Sequence, residues 1–227
     1  MSDPGRLLLE TIVGKLEEAA DQLVFLGGAT VGLHLTEPQV VSIRPTEDVD
    51  TVVQVANMGE LERLRVLLRK KGFQESPEEK NICRFRNGEL ILDVMPDDFN
   101  IYGFTNRWYK PGIDAKIEFP LKARTIKIFS ALYLLATKME AFLGRGQSDF
   151  FTSHDIEDIV NLFDGRPFLG NEVRESTSEA GEWIRGCLRD WVARPEFADA
   201  VEAHVTEREN SFARREIVLE RMRAASS

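Results

Sequence analysis

Apolar residues recur at helical spacing near the N-terminus, with Leu8, Ile12, Leu16, Ala19 and Ala20 on one side and Glu17, Glu18 and Asp21 between them. The pattern then changes to the short apolar run Leu23-Val24-Phe25-Leu26, which predicts a strand. Gly27-Gly28 follows at once, and residues 29–34 read as a second helix that starts on the glycines. Residues 48–55 are β-branched along most of their length and predict a strand; residues 58–71 carry Met58, Leu61, Leu64, Leu67 and Leu68 in an amphipathic helical pattern, closed by Gly72. Two short runs, 82–86 and 90–94, flank Asn87-Gly88, a strong hairpin signal, and Pro96 ends the second. Strand-like pieces at 117–119 and 125–128 follow a loop-rich stretch.

From there the pattern is helical. Residues 130–143 predict a helix ended by Gly144, a polar linker spans 145–152, and a further helix covers 153–163 before Gly165 and Pro167. Beyond Gly170 the spacing stays helical, with Trp183, Trp191 and Phe197 as expected core residues and 207–223 as a last helix. The fold class expected is α+β, a mixed sheet with flanking helices over residues 1–128, followed by a helical C-terminal domain over residues 129–227 packed on that core.

Composition narrows the function classes. The 227 residues are 43% hydrophobic, enough for a real core, and 38 acidic against 29 basic side chains give a net charge of −9. That balance argues against a protein that coats nucleic acid electrostatically. Within residues 104–145, however, eight basic residues face three acids, so an anion could be met locally. Cys83 and Cys187 belong to no Cys-x-x-Cys pair, and no apolar run is long enough for a membrane span, so a cytoplasmic protein with no membrane partner is expected.

Asp48 and Asp50 stand two apart on a predicted strand, so both carboxylates leave one face with Cα atoms roughly 6.5–7 Å apart. Asp93 is placed near the end of another strand, behind Leu90-Ile91-Leu92. Three such acids are the oxygen donors that Mg²⁺ prefers, and paired ions serve phosphoryl-type displacement. Taken singly, the same acids read as solvated strand ends. Gly27-Gly28, between a strand and a helix start, can cradle a phosphate or serve as plain turn chemistry. Arg44 and Thr46 either order the loop before the strand or contact a nucleotide. His34 ends an apolar stretch and reads as structural.

In order and spacing, four blocks resemble the minimal nucleotidyltransferases of the DNA polymerase beta superfamily, and within them the AbiEii/AbiGii-like toxins. The blocks are Phe25-Leu-Gly-Gly-Ala-Thr-Val-Gly-Leu-His34; Arg44-Pro-Thr-Glu-Asp-Val-Asp50; Leu92-Asp-Val-Met-Pro96; and Leu135-Ala-Thr-Lys-Met-Glu-Ala-Phe142 with Ser153-His-Asp-Ile-Glu-Asp-Ile159. The resemblance covers about residues 20–170. It implies a nucleotidyltransferase-type sheet and a Mg²⁺-dependent transfer of NMP from an NTP to an acceptor hydroxyl. Asp48 and Asp50 would bind metal, and Asp93 would complete the site and help to deprotonate the acceptor. Gly27 and Gly28 would hold the triphosphate, Lys138 would contact its phosphates, and Asp155 and Asp158 would line the same cleft. Where relatives commonly have Gly-Ser, this chain has Gly28, so a hydroxyl contact to phosphate is either missing or replaced by Thr30. The resemblance further implies the toxin of a toxin–antitoxin or abortive-infection pair, with a tRNA, nucleotide or protein acceptor and a cognate antitoxin. Two alternatives stay open: a nucleotide- or partner-binding module without turnover, and a nucleotidyltransferase acting on a small antibiotic. Read from the residues alone, Lys138 is equally a helix lysine reaching past a buried face, and Asp155 and Asp158 are acids favoured by the dipole at a helix start.

Overall fold

The computed structural model of this chain describes residues 3–76, 80–103, 105–122, 124–145, 149–205 and 210–227. They divide into two compact units, one of Ser2–Gly32 and Arg44–Ser130, the other of Leu33–Ile43 and Ala131–Ser227. Parts of the expected linker and last helix, residues 146–148 and 207–209, lie outside the described residues.

The first unit is built on a mixed six-stranded sheet. Its strands are β1 (Val24–Leu26), β2 (Asp48–Val53), β3 (Arg84–Asn87), β4 (Leu90–Pro96), β5 (Ile117–Leu121) and β6 (Arg124–Ile128), in the order β3-β4-β2-β1-β6-β5. β2 runs parallel to β4 and β1 parallel to β6, while β1–β2, β3–β4 and β5–β6 are antiparallel. The central strands are apolar because both faces are covered: Val49, Val52, Phe25 and Leu92 are fully buried. Helix α1 (Pro4–Leu16) starts where the Asp3 carboxylate accepts from the Gly5 and Arg6 N–H groups, and it packs its Leu9, Ile12 and Leu16 stripe inward. Helix α2 (Met58–Lys70) is capped by Asn57, whose side chain accepts from the Glu60 N–H, while the Glu60 carboxylate accepts from Ala56 N–H. Two short helices, α3 (Phe99–Tyr102) and α4 (Tyr109–Asp114), occupy the loop-rich stretch.

Three elements differ from expectation. Residues 17–22 and Gly28–His34 are 3₁₀ rather than α-helical, and the second of these contains two glycines in seven residues, too few good helix formers to sustain a longer ladder. β4 continues through Pro96, so Asp93 sits in the middle of a strand and not near its end.

The second unit is helical: α5 (Ala131–Gly144), α6 (His154–Gly165), α7 (Leu169–Glu175), α8 (Glu179–Val192), α9 (Pro195–His204) and α10 (Ser211–Ser226). Its centre is an aromatic cluster of Phe142, Phe150, Trp191 and Phe197, with neighbouring ring centroids 5.0 to 5.7 Å apart. Trp183 is only half-buried, because the buried stripe of α8 runs through Ala180, Ile184, Leu188 and Trp191 and leaves it on the flank. The last helix ties back to the end of α6. Arg221 donates to the Phe163 carbonyl at 2.9 Å, and Arg214 pairs with the buried Asp164 carboxylate, so cations satisfy the helix end where carbonyls lack partners.

His34 is buried here, its carbonyl accepting from Arg166 Nη1 at 3.0 Å. Among the described residues its Nε2 has no hydrogen-bond partner. Burial, reinforced by the Arg166 charge, pushes its pKa down to about 4. An unfolded histidine titrates near 6.5, so below that pH the unfolded chain binds a proton that the folded chain refuses. Stability is therefore complete above about pH 6.5 and declines as pH falls towards 4, by about 2 kcal/mol at pH 5. In denaturant titrations at pH 7.5 and pH 5, the wild type should lose about 2 kcal/mol more than His34→Leu. Equal losses would contradict this account of His34.

Candidate functional site

The acids come together as the strand register dictates. Asp48 opens β2 and Asp50 follows two residues later on the same face; Asp50 lies opposite Asp93 of β4 on one side and opposite Leu26 of β1 on the other. Directly after Leu26, Gly27 adopts φ +78°. A Cβ there would lie 1.9 Å from Asp50 Oδ2, so the Asp50 carboxylate rests against bare backbone that only glycine can present. At Gly28 a Cβ would meet Arg44 Nη2 at 3.3 Å and Thr46 Oγ1 at 3.4 Å. The glycine turn, Arg44, Thr46 and the start of β2 therefore converge on one spot, as the sequence blocks imply.

Within that spot Thr46 Oγ1 lies 3.2 Å from Asp48 Oδ1, while the buried Thr30 hydroxyl donates to the Gly27 carbonyl at 2.9 Å. Thr30 thus holds the turn in shape instead of pointing outward as a substitute for the missing serine. Thr51, on the opposite face of β2, donates to the Asp93 carbonyl at 2.9 Å and pins the two acid-bearing strands together.

A residue absent from the sequence reading completes the group. Arg84 of β3 is paired in register with Asp93. Its Nε donates to Asp93 Oδ1 at 2.9 Å and its Nη2 to Asp93 Oδ2 at 2.8 Å, a two-pronged contact. The same Nη2 lies 3.0 Å from Asp48 Oδ2. Asn81 Nδ2 adds a third donor to Asp93 at 3.0 Å, and is itself oriented by the Cys83 N–H. The neighbouring Cys83 thiol is pushed up to about 12 by burial and then by the Asp93 charge, so it stays protonated and inert. The Asn87-Gly88 signal would set position 84 opposite position 91; the chain instead turns one residue later, at Gly88-Glu89, so Asn87 pairs with Leu90 and Arg84 faces Asp93.

As to metal, the three carboxylates on adjacent strands form an all-oxygen set suited to Mg²⁺. Among the described residues, however, no group of three or more His, Cys, Asp or Glu side chains stands poised around a cation position. Between Asp48 and Asp93 stands a guanidinium nitrogen instead. The residues fit the ion in chemistry, and Arg84 marks the space it would share.

Lys138, Asp155 and Asp158 form a separate group in the helical unit. Lys138 Nζ lies 2.7 Å from Asp158 Oδ2 and 3.3 Å from Asp155 Oδ1, and Arg145 Nη1 lies 2.8 Å from Asp155 Oδ2. Both carboxylates are buried, on the first turns of α6 behind the Ser153 cap. Two anions thus face two cations, and the lysine charge expected to meet phosphate is already balanced within the unit.

The fold so defined is nucleotidyltransferase-like. No family model matches the sequence, and no curated protein matches it. Among solved structures, the chain is similar to an antigenic nucleotidyltransferase-like protein from Paracoccidioides brasiliensis, at 22% identity over 89% of this chain and 94% of that one, with a TM-score of 0.53. It is also similar to the antibiotic-resistance factor ANT(2'')-Ia, at 16% identity over 82% of this chain and 94% of that one, with a TM-score of 0.50. At such identities the likeness is one of fold. Among the described residues no helix is long and apolar enough to cross a membrane.

Proposed function

We propose that the chain is a metal-dependent nucleotidyltransferase that moves NMP from an NTP to an acceptor hydroxyl. The observation that carries this reading is the placement of Asp48, Asp50 and Asp93 on the neighbouring strands β2 and β4, with Asp50 directly against Gly27. In the reaction the acceptor oxygen forms a bond to the α-phosphorus, the α–β anhydride bond breaks, pyrophosphate leaves and the hydroxyl proton is released. Asp48, Asp50 and Asp93 would hold Mg²⁺, which supplies positive charge to the phosphates and a Lewis acid for the attacking oxygen. Gly27 and Gly28 would hold the triphosphate through their backbone N–H groups, and Arg44 and Thr46 stand beside Gly28. Asp93, whose two oxygens already accept three hydrogen bonds, serves to anchor the site.

The order of the sequence blocks supports the toxin of a toxin–antitoxin or abortive-infection pair, acting on a tRNA end, a nucleotide or a protein side chain and restrained by an antitoxin. The fold likeness to an antibiotic-resistance factor favours, as a second reading, transfer to a small antibiotic. The test is incubation with NTPs labelled at the α-phosphate, in Mg²⁺ and in excess EDTA, against total tRNA, cell protein and a panel of antibiotics. Label should appear on one acceptor class and vanish with EDTA. Mg²⁺-dependent NTP binding without product on any acceptor would point to a module without turnover, and EDTA-insensitive labelling would contradict the proposal.

A further inference from the structure

We propose that Arg84 is a built-in cation of the acidic site: its Nη2 holds Asp48 beside Asp93 until a divalent ion takes Asp48 over, so that Arg84 sets the affinity of the site for metal. This inference rests on the reading that the three acids bind metal. Its basis is the position of one nitrogen, 2.8 Å from Asp93 Oδ2 and 3.0 Å from Asp48 Oδ2. There the guanidinium holds the two carboxylates together.

The two contacts are unequal. The Asp93 contact uses both prongs of the guanidinium, is reinforced by Asn81, and lies between side chains that are 21% and 6% exposed. Removing it would strand a buried carboxylate. The Asp48 contact is a single hydrogen bond to a side chain 32% exposed, and solvent weakens it. Asp48 is therefore the arm that yields. A divalent ion outbids a single guanidinium charge for one carboxylate, while Arg84 stays forked on Asp93. Because guanidinium remains charged at every working pH, only another cation can displace it. In the absence of metal Arg84 keeps like charges together, and in its presence it opposes binding.

The test uses Mn²⁺ alone as the probe, with free ion counted by electron paramagnetic resonance, on wild type, R84Q and each combined with Asp50→Asn. R84Q should bind Mn²⁺ at least about fivefold more tightly than wild type, and Asp50→Asn should abolish both. Equal or weaker binding by R84Q, with wild-type binding still dependent on Asp50, would overturn the role of Arg84 and leave the metal reading standing. Absence of Asp50-dependent binding in both proteins would overturn the metal reading and this proposal with it. Should R84Q fail to fold, wild type labelled with [¹⁵N]arginine carries the test, with the Arg84 signals assigned through R84K. Saturating Mg²⁺ should then shift the Arg84 Nη signals and leave Nε in place, and an unchanged Arg84 spectrum would overturn the proposal.

Discussion

Asp50→Asn should lower NMP transfer by more than about 10³-fold, the order expected when a ligand of a catalytic cation is lost, since groups one shell further out already cost 10–100-fold. Asp50 is the most discriminating of the three acids because its surroundings leave no slack. It faces Asp93 across the parallel register, and its carboxylate occupies the space that a side chain at position 27 would fill. Asparagine keeps the shape, so the turn, β1 and β2 should persist while the negative charge is gone. The check is the initial rate of label transfer from α-labelled NTP with the fold confirmed by circular dichroism. A rate within tenfold of wild type would remove Asp50 from the mechanism.

Lys138→Met should destabilise the protein by about 3–5 kcal/mol, the cost of leaving a buried charge without its partner. Lys138 lies among apolar neighbours on α5, its ammonium between Asp155 and Asp158, both nearly without solvent. Methionine would pack in place of the stem and remove the ammonium that both carboxylates face. Adding Asp158→Asn removes the stranded charge, and the double variant should recover at least half of the loss. Denaturant unfolding of the three proteins measures this. A lysine whose main duty was to bind nucleotide phosphates would behave otherwise: Lys138→Met would keep wild-type stability and lose only NTP affinity.

Much of the sheet was legible because its signals are local. The β-branched run after Asp48, a hairpin signal near Gly88 and the glycines after Leu26 mark the strands, and the spacing of Asp48 and Asp50 puts them on one face. What was not legible is set by long-range partners. Asp93 reads as a strand-end acid until Arg84 and Asn81 are seen to satisfy it, which is how β4 tolerates a carboxylate in mid-strand and runs on to Pro96. Lys138 and Asp158 are 20 residues apart in the numbering of a contact that only the packing of α5 on α6 creates. The stretch from Gly28 to His34 has helical apolar spacing, yet two glycines and its short length leave it as 3₁₀ turns. Arg84 was not legible, because the Asn87-Gly88 signal sets position 84 opposite Ile91, and only the observed turn at Gly88-Glu89 brings it opposite Asp93.

On the proposed function, Asp48, Asp50 and Asp93 hold a nucleotide and a divalent cation together. Titration calorimetry with a non-hydrolysable NTP analogue tests it without knowledge of the acceptor. Wild type should bind the analogue in Mg²⁺, and binding should weaken at least about 100-fold in EDTA or on Asp50→Asn. Binding of equal strength in all three conditions, or none in any of them, would contradict the account.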